Sequence, residues 1–370
     1  MERIIRCPQM RWWAPLAAML VCLPLGPGSS MSFTATQRDA LARLVQSDRE
    51  AAKLFQKFQR LADASLDDIP HPARQIGSAG KLACDPAKVE TRLALEDMKK
   101  IAALAFADVV TTNAVYARAA KRMILDWAKT NQPSGHPIDE TELEPLFVAY
   151  GLTRHAFSME ERRPVESWLR LISQRQREEL RANSVTASNN WNSHRLKTVG
   201  LIDFLLEDRA MIDYAMNGFK RQIESNLRPD GSSLDFHERD ALHYHCYDLE
   251  PLLTLAIAAG QRGIALYDYQ SPSGASLRKS VQFLVPYCDG SATHLEWVKS
   301  KVAFDRVRAN AGEKKFQVGT PFDPRDGLRV LELASFFDRD LNPLVARLAK
   351  REGHTRFPVW QSVLNEALLP

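Results

Sequence analysis

From residue 36 onward apolar residues recur at helical spacing almost without interruption, and long alternating runs of β-branched residues are absent. Apolar side chains three and four apart line one face of a helix, whereas a half-buried strand alternates every second residue. The chain is therefore expected to be all-α. Thr36 opens an amphipathic run to about Ala62, and segments 89–106 and 109–127 follow, the latter with Ala114, Ala117, Ala120, Ile124 and Trp127 on one face. Further helices are expected at 141–150, 159–180, 192–206, 210–226, 240–259, 276–287, 327–337 and 357–368. Gln132-Pro-Ser-Gly-His-Pro137 and Arg228-Pro-Asp-Gly-Ser232 mark loops, because proline and glycine break helical runs. Many helices with short loops suit hairpins packed into an α/α toroid. No strict repeat is visible, so pattern alone also admits an irregular helical bundle.

Ahead of the helices, Arg3, Arg6 and Arg11 precede an apolar stretch at 12–25 and then Gly-Pro-Gly-Ser-Ser. That layout is a secretory signal peptide over residues 1–30; the stretch is short and proline-broken for a membrane span, and a retained anchor is the competing reading. The protein is expected to be periplasmic or secreted, with no stable membrane anchor. No linker or composition shift divides residues 31–370, which read as one domain of a monomer. Of five cysteines, Cys7 and Cys22 fall in the leader, leaving Cys84, Cys246 and Cys288 with one possible disulfide among them. There is no Cys/His ligand ladder, glycine-rich phosphate loop or Gly-x-Ser-x-Gly elbow. No metal, cofactor or nucleic-acid partner is expected. The net charge of +4 is weakly basic and compatible with an anionic substrate.

Two polar clusters stand out. Arg239-Asp-Ala-Leu-His-Tyr-His-Cys-Tyr247 gathers two histidines, two tyrosines and an arginine at a helix start. Leu242, Cys246, Leu249, Leu253 and Ala256 form the apolar stripe of that helix, which leaves His243, Tyr244 and Tyr247 off it and His245 on its flank. Ser188-Asn-Asn-Trp-Asn-Ser-His194 lies upstream; Asn190, His194 and Lys197 share one helix side, opposite Leu196, Val199, Ile202 and Leu206. The bland readings are a capping asparagine with an exposed histidine, and a tyrosine-rich packing edge. The sharper reading is one site built from both helices, because such groups concentrate in clefts. Trp127, Trp168, Trp191 and Trp297 could stack on sugars, although tryptophan usually packs in cores. His136 and the pair Arg154-His155 are weaker cleft candidates, and the basic run Lys299, Lys301, Arg306, Arg308 near Trp297 could grip a polyanion, although a charged, solvated helix face is the default reading.

Without a metal or paired-carboxylate signature, Arg, Asn, His and Tyr suit abstraction of an acidic C–H proton. In a polyuronate the C5 proton lies beside a carboxylate; donors that neutralise the carboxylate lower the barrier, while His or Tyr exchanges protons with C5 and O4. Asp240, Asp248 or Glu250 would instead serve a glycoside hydrolase.

Ala-Val-Tyr-Ala-Arg-Ala-Ala (114–120), Ile-Leu-Asp-Trp-Ala (124–128), Gly-His-Pro-Ile (135–138), Ser-Asn-Asn (188–190) and Ala-Leu-His-Tyr-His-Cys-Tyr-Asp-Leu-Glu-Pro-Leu (241–252) together resemble the alginate lyase superfamily. Its best-known branch is polysaccharide lyase family 5, the periplasmic poly(mannuronate) lyases. The resemblance spans roughly residues 85–300 and implies an incomplete α/α toroid with a central groove and metal-independent β-elimination on alginate or another polyuronate. It places Asn189 and Asn190 on the family's Asn-Asn-His motif and Tyr247 on its catalytic tyrosine. Trp191 stands where that motif has histidine, so His194, a turn later, is the substitute; the family's arginine falls on Asp240, beside Arg239. Tyr247, His194, Asn190 and Arg239 are thus the expected catalytic set, and Asn189, Trp191, His243, Tyr244, His245 and His136 the expected substrate binders. A polysaccharide-binding protein that lost the chemistry is a third possibility, favoured by those two departures.

Overall fold

The structure, a computed structural model, describes residues 34–350, 354 and 356–368. The signal-peptide expectation at 1–30 lies outside the described residues. In chain order the helices are α1 (Ala35–Ser47), α2 (Arg49–Ala64), α3 (Pro86–Ala94), α4 (Glu96–Thr111), α5 (Ala114–Thr130), α6 (Pro137–Glu140), α7 (Glu144–Thr153), α8 (Met159–Ala182) and α9 (Asn190–Leu206). They continue as α10 (Arg209–Asn226), α11 (Leu234–Arg239), α12 (Leu242–Gly260), α13 (Leu277–Asp289), α14 (Ala303–Asn310), α15 (Leu328–Ala334), α16 (Asn342–Ala349) and α17 (Trp360–Leu368). One short antiparallel pair, β1 (Leu295–Glu296) and β2 (Thr320–Pro321), interrupts the series.

Side-chain caps explain where the periodic runs divide. The apolar run from Thr36 to Ala62 is two helices, because the Asp48 carboxylate accepts from Glu50 N at 2.8 Å and Ala51 N at 3.1 Å and so restarts the backbone. The run expected at 240–259 begins two residues later. Asp240 adopts a left-handed backbone (φ 48°), ends α11, and turns the chain into α12.

The helices pack in a ring. The sequence α2, α4, α7, α9, α12, α15, α17 packs each helix on the next, and α17 returns to α1 and α2. Outside it, α5 lies on α4 and α7, α8 and α10 on α9, and α13 and α16 on α15. This is an α/α toroid of helical hairpins. Trp360 closes it, its ring 5.1 Å from Phe58 and 5.6 Å from Phe106.

Helices α9 and α12 occupy the middle of the ring and are buried nearly all round. Their close approach rests on Gly200, where a Cβ would come within 2.5 Å of Leu255 Cδ1. Pro251 lies inside α12 and has no N–H to give the carbonyl of Tyr247 four residues earlier. The cysteines correct an expectation: Cys84, Cys246 and Cys288 are all free, with the last two buried in packed helices.

Candidate active site

The two polar clusters meet across the α9–α12 contact. Asn189 is the N-cap of α9, its side chain accepting from Trp191 N at 3.1 Å. One turn on, the His194 ring lies 4.3 Å from the ring of Tyr247. Tyr247 in turn adjoins His243 (6.4 Å, nearly parallel) and Tyr244 (6.0 Å, edge to face). The Arg239 guanidinium covers the Tyr244 ring at 3.8 Å. His194, Arg239, His243, Tyr244 and Tyr247 therefore form one contiguous constellation.

Behind it the α9 polar side is knitted into neighbouring helices, which corrects the expectation that Asn190 and His194 face away from the core, towards a cleft or solvent. Asn190 donates through Nδ2 to the buried Asp235, which also accepts from Asn226 at 3.1 Å. His194 is 4% exposed, with Nδ1 paired to Thr141 Oγ1 at 2.9 Å. Lys197 is buried in an ion pair with Glu144. Ser193 donates to Asp248 at 2.6 Å, and Asn226 reaches the same carboxylate at 3.2 Å. Burial pushes the Asp235 carboxyl up to about 6, and burial with the neighbouring Asp235 charge pushes Asp248 well above the usual range.

Burial likewise keeps His194 and His243 far below the ordinary imidazole value, aided at His194 by Lys197 and at His243 by Lys315, Arg308 and Arg239. Both imidazoles are neutral at pH 7. Tyr247 is pushed the other way by burial and by Glu142, so its phenol stays protonated. The two differ in access: His243 and Tyr247 are partly open to solvent, whereas His194 is closed off. His245, expected to bind substrate, is corrected by its surroundings. It is fully buried, with Nδ1 paired to Ser233 Oγ and Nε2 to the Ser280 carbonyl, both at 3.0 Å, and has no atom left for a ligand.

On the other flank Trp191 stays partly exposed and contacts His136 at 4.5 Å; Trp127, Trp168 and Trp297 are core residues. Of the hydrolase candidates, Asp248 is fully buried, while Asp240, which accepts from Lys299 N at 2.8 Å, and Glu250 are both partly open. Among the described residues no group of three or more His, Cys, Asp or Glu is placed to hold a metal ion. No described helix is long and apolar enough to cross a membrane.

Sequence reasoning named Arg308 only as part of a basic run and missed Glu142 altogether. Arg308 donates to the Tyr244 hydroxyl at 3.2 Å from a helix that periodicity did not single out. Glu142 is exposed, yet the surrounding protein raises its carboxyl pKa.

The family model described as alginate lyase matches residues 36–294. Among solved structures, an alginate lyase from Bacteroides ovatus is similar at TM-score 0.65 and 17% identity, over 91% of this chain and 99% of that one. Alginate lyase A1-III from Sphingomonas species A1 is similar at TM-score 0.55 and 20% identity, over 79% and 93% of the two chains. A complex of A1-III with a tetrasaccharide gives TM-score 0.58 at 20% identity, over 83% and 86%. At these identities the likeness is one of fold. Among curated proteins none matches the chain.

Proposed function

This chain belongs to the alginate lyase family, and on that premise we propose that it cleaves an acidic uronate polymer, alginate foremost, by β-elimination that needs no metal ion. The observation that carries the reading is the contact of Tyr247 with two neutral imidazoles, one on α9 and one on α12. His243 takes the C5 proton, because it is partly exposed while His194 is buried. The C5–H electrons form the C4–C5 double bond, the C4–O4 bond breaks, and O4 leaves with the Tyr247 proton. Proton exchange with solvent restores both side chains.

His194 acts through Tyr247, holding its ring from behind. Arg239 keeps the guanidinium edges that Asp305 does not occupy and serves the substrate carboxylate, while the buried Asn190 ties α9 to Asp235 on α11 and so holds that helix at the site. Asn189, Trp191, His136 and Tyr244 bind the sugars on either side. In this reading the protein works outside the cytoplasm as a monomer on an anionic polysaccharide.

The test is a panel of polymannuronate, polyguluronate and polyglucuronate followed by ultraviolet absorbance. A lyase makes an unsaturated uronate that absorbs; a hydrolase makes reducing ends without it, and a binding protein makes neither. Tyr247→Phe should lower turnover at least about a hundredfold with an unchanged circular dichroism spectrum. Silence of the folded protein on every polyuronate sinks the proposal.

A further inference from the structure

The segment 297–318 lies beyond the family match, which ends at residue 294. It leaves the ring after β1, forms α14, and returns at β2. Its six cations, Lys299, Lys301, Arg306, Arg308, Lys314 and Lys315, face two carboxylates, Asp305 and Glu313, so it alone carries the net +4 of the whole chain. Clustered like charge repels itself and is retained at a cost unless an anion meets it.

The segment is firmly seated beside the site. Trp297 and Phe316 pack with Tyr244 and Ala241 in one apolar cluster, and Asp305 clasps Arg239 at 2.5 Å. Lys299 N and Lys301 N donate to Asp240 Oδ2 and the Glu238 carbonyl, both at 2.8 Å. Arg308 is its least exposed cation, stacked 4.0 Å over Phe316 and bonded to the Tyr244 hydroxyl. Yet its charge is poorly answered. The Glu313 carboxylate stands 3.6 Å from Nε, and Nε is buried with no hydrogen-bond partner. Glu313 itself is drawn aside by Ala83 N at 2.8 Å. A guanidinium fixed beside the site tyrosines, its charge offset only by a carboxylate at 3.6 Å, is suited to a planar carboxylate.

We propose that this segment is a second carboxylate-binding subsite, anchored on Arg308, that grips a uronate unit next to the one undergoing elimination. The inference rests on the lyase reading and deepens it. The exposed Lys299, Lys301, Arg306 and Lys314, which make no ion pair among the described residues, extend the positive field outward along the polymer. Nothing in this arrangement needs Arg308 for the proton transfers.

The experiment compares Arg308→Gln, which retains the packing stem, and Arg308→Lys, which retains the charge, with the unchanged protein. Each is assayed on uronate trisaccharides and on polymer at two ionic strengths. Arg308→Gln is expected to raise KM roughly tenfold with kcat nearly unchanged, and to flatten the salt dependence of KM. Arg308→Lys should recover the salt dependence and part of the affinity. Folded Arg308→Gln with unaltered KM and salt dependence overturns the subsite while leaving the lyase reading intact, as does a loss confined to kcat. Absence of turnover in the unchanged protein on every polyuronate defeats the lyase reading instead.

Discussion

Tyr247 is held between two histidines whose rings differ in access rather than in charge. Because both are neutral, the residue that takes the proton is decided by geometry, and this has a measurable outcome. His243→Ala should lower kcat at least about a hundredfold while melting close to the parent. His194→Ala empties a buried position and should lower both Tm and kcat. If His194→Ala alone loses activity, the proton acceptor belongs on α9. Legibility at this scale followed accessibility. Tyr247 and His243 could be picked out because they leave the apolar stripe of their own helix. His245 sits on the edge of that stripe, and only the neighbouring Ser233 and Ser280 reveal that it is used up. Arg308 was invisible as a partner of Tyr244 because its contact spans 64 positions in sequence.

The α9–α12 contact sets the distance between the histidines and the tyrosine. Gly200 permits it, and the added bulk of Gly200→Val would push against Leu255 in a fully packed core. That substitution should cost about 1–3 kcal/mol in urea unfolding and reduce kcat by parting the helices. An unchanged midpoint would mean that the contact is looser than the backbone approach implies. Helix positions were legible from period alone, because amphipathic faces must bury somewhere. Boundaries depended on caps such as Asp48 and on the left-handed Asp240, which periodicity cannot register. Helices α14 and α16 escaped notice, being short and, in α16, opening on a proline at its first turn. Helix α9 misled in a different way. Its polar side looked like a surface, yet it meets polar side chains of α10, α11 and α12, a pairing visible only once the ring is assembled.

At the scale of the whole molecule, the buried acids dominate the response to pH. Burial raises Asp203, Glu250 and Glu296 to about 7, above the ordinary carboxylate value. Between pH 6.5 and 8 the folded chain therefore holds protons that the unfolded chain has already released, and stability falls as pH rises. The depressed histidines oppose this only below their ordinary value near 6.5, so they are spent in that window. Calorimetry should give a lower Tm at pH 8 than at pH 6.5; a flat or rising Tm would assign those carboxyls ordinary values. The toroid itself was only one of two architectures open to periodicity, since hairpins do not announce whether their row bends back on itself. Trp360 settles that question in space, and it also settles an order in time. Its aromatic partners lie on α2 and α4, among the first of the described helices to be made, whereas α17 is the last of them. Loop closure across nearly the whole chain is slow and entropically costly. The nascent polypeptide is thus an open arc that becomes a ring only once α17 has been made and Trp360 reaches Phe58 and Phe106.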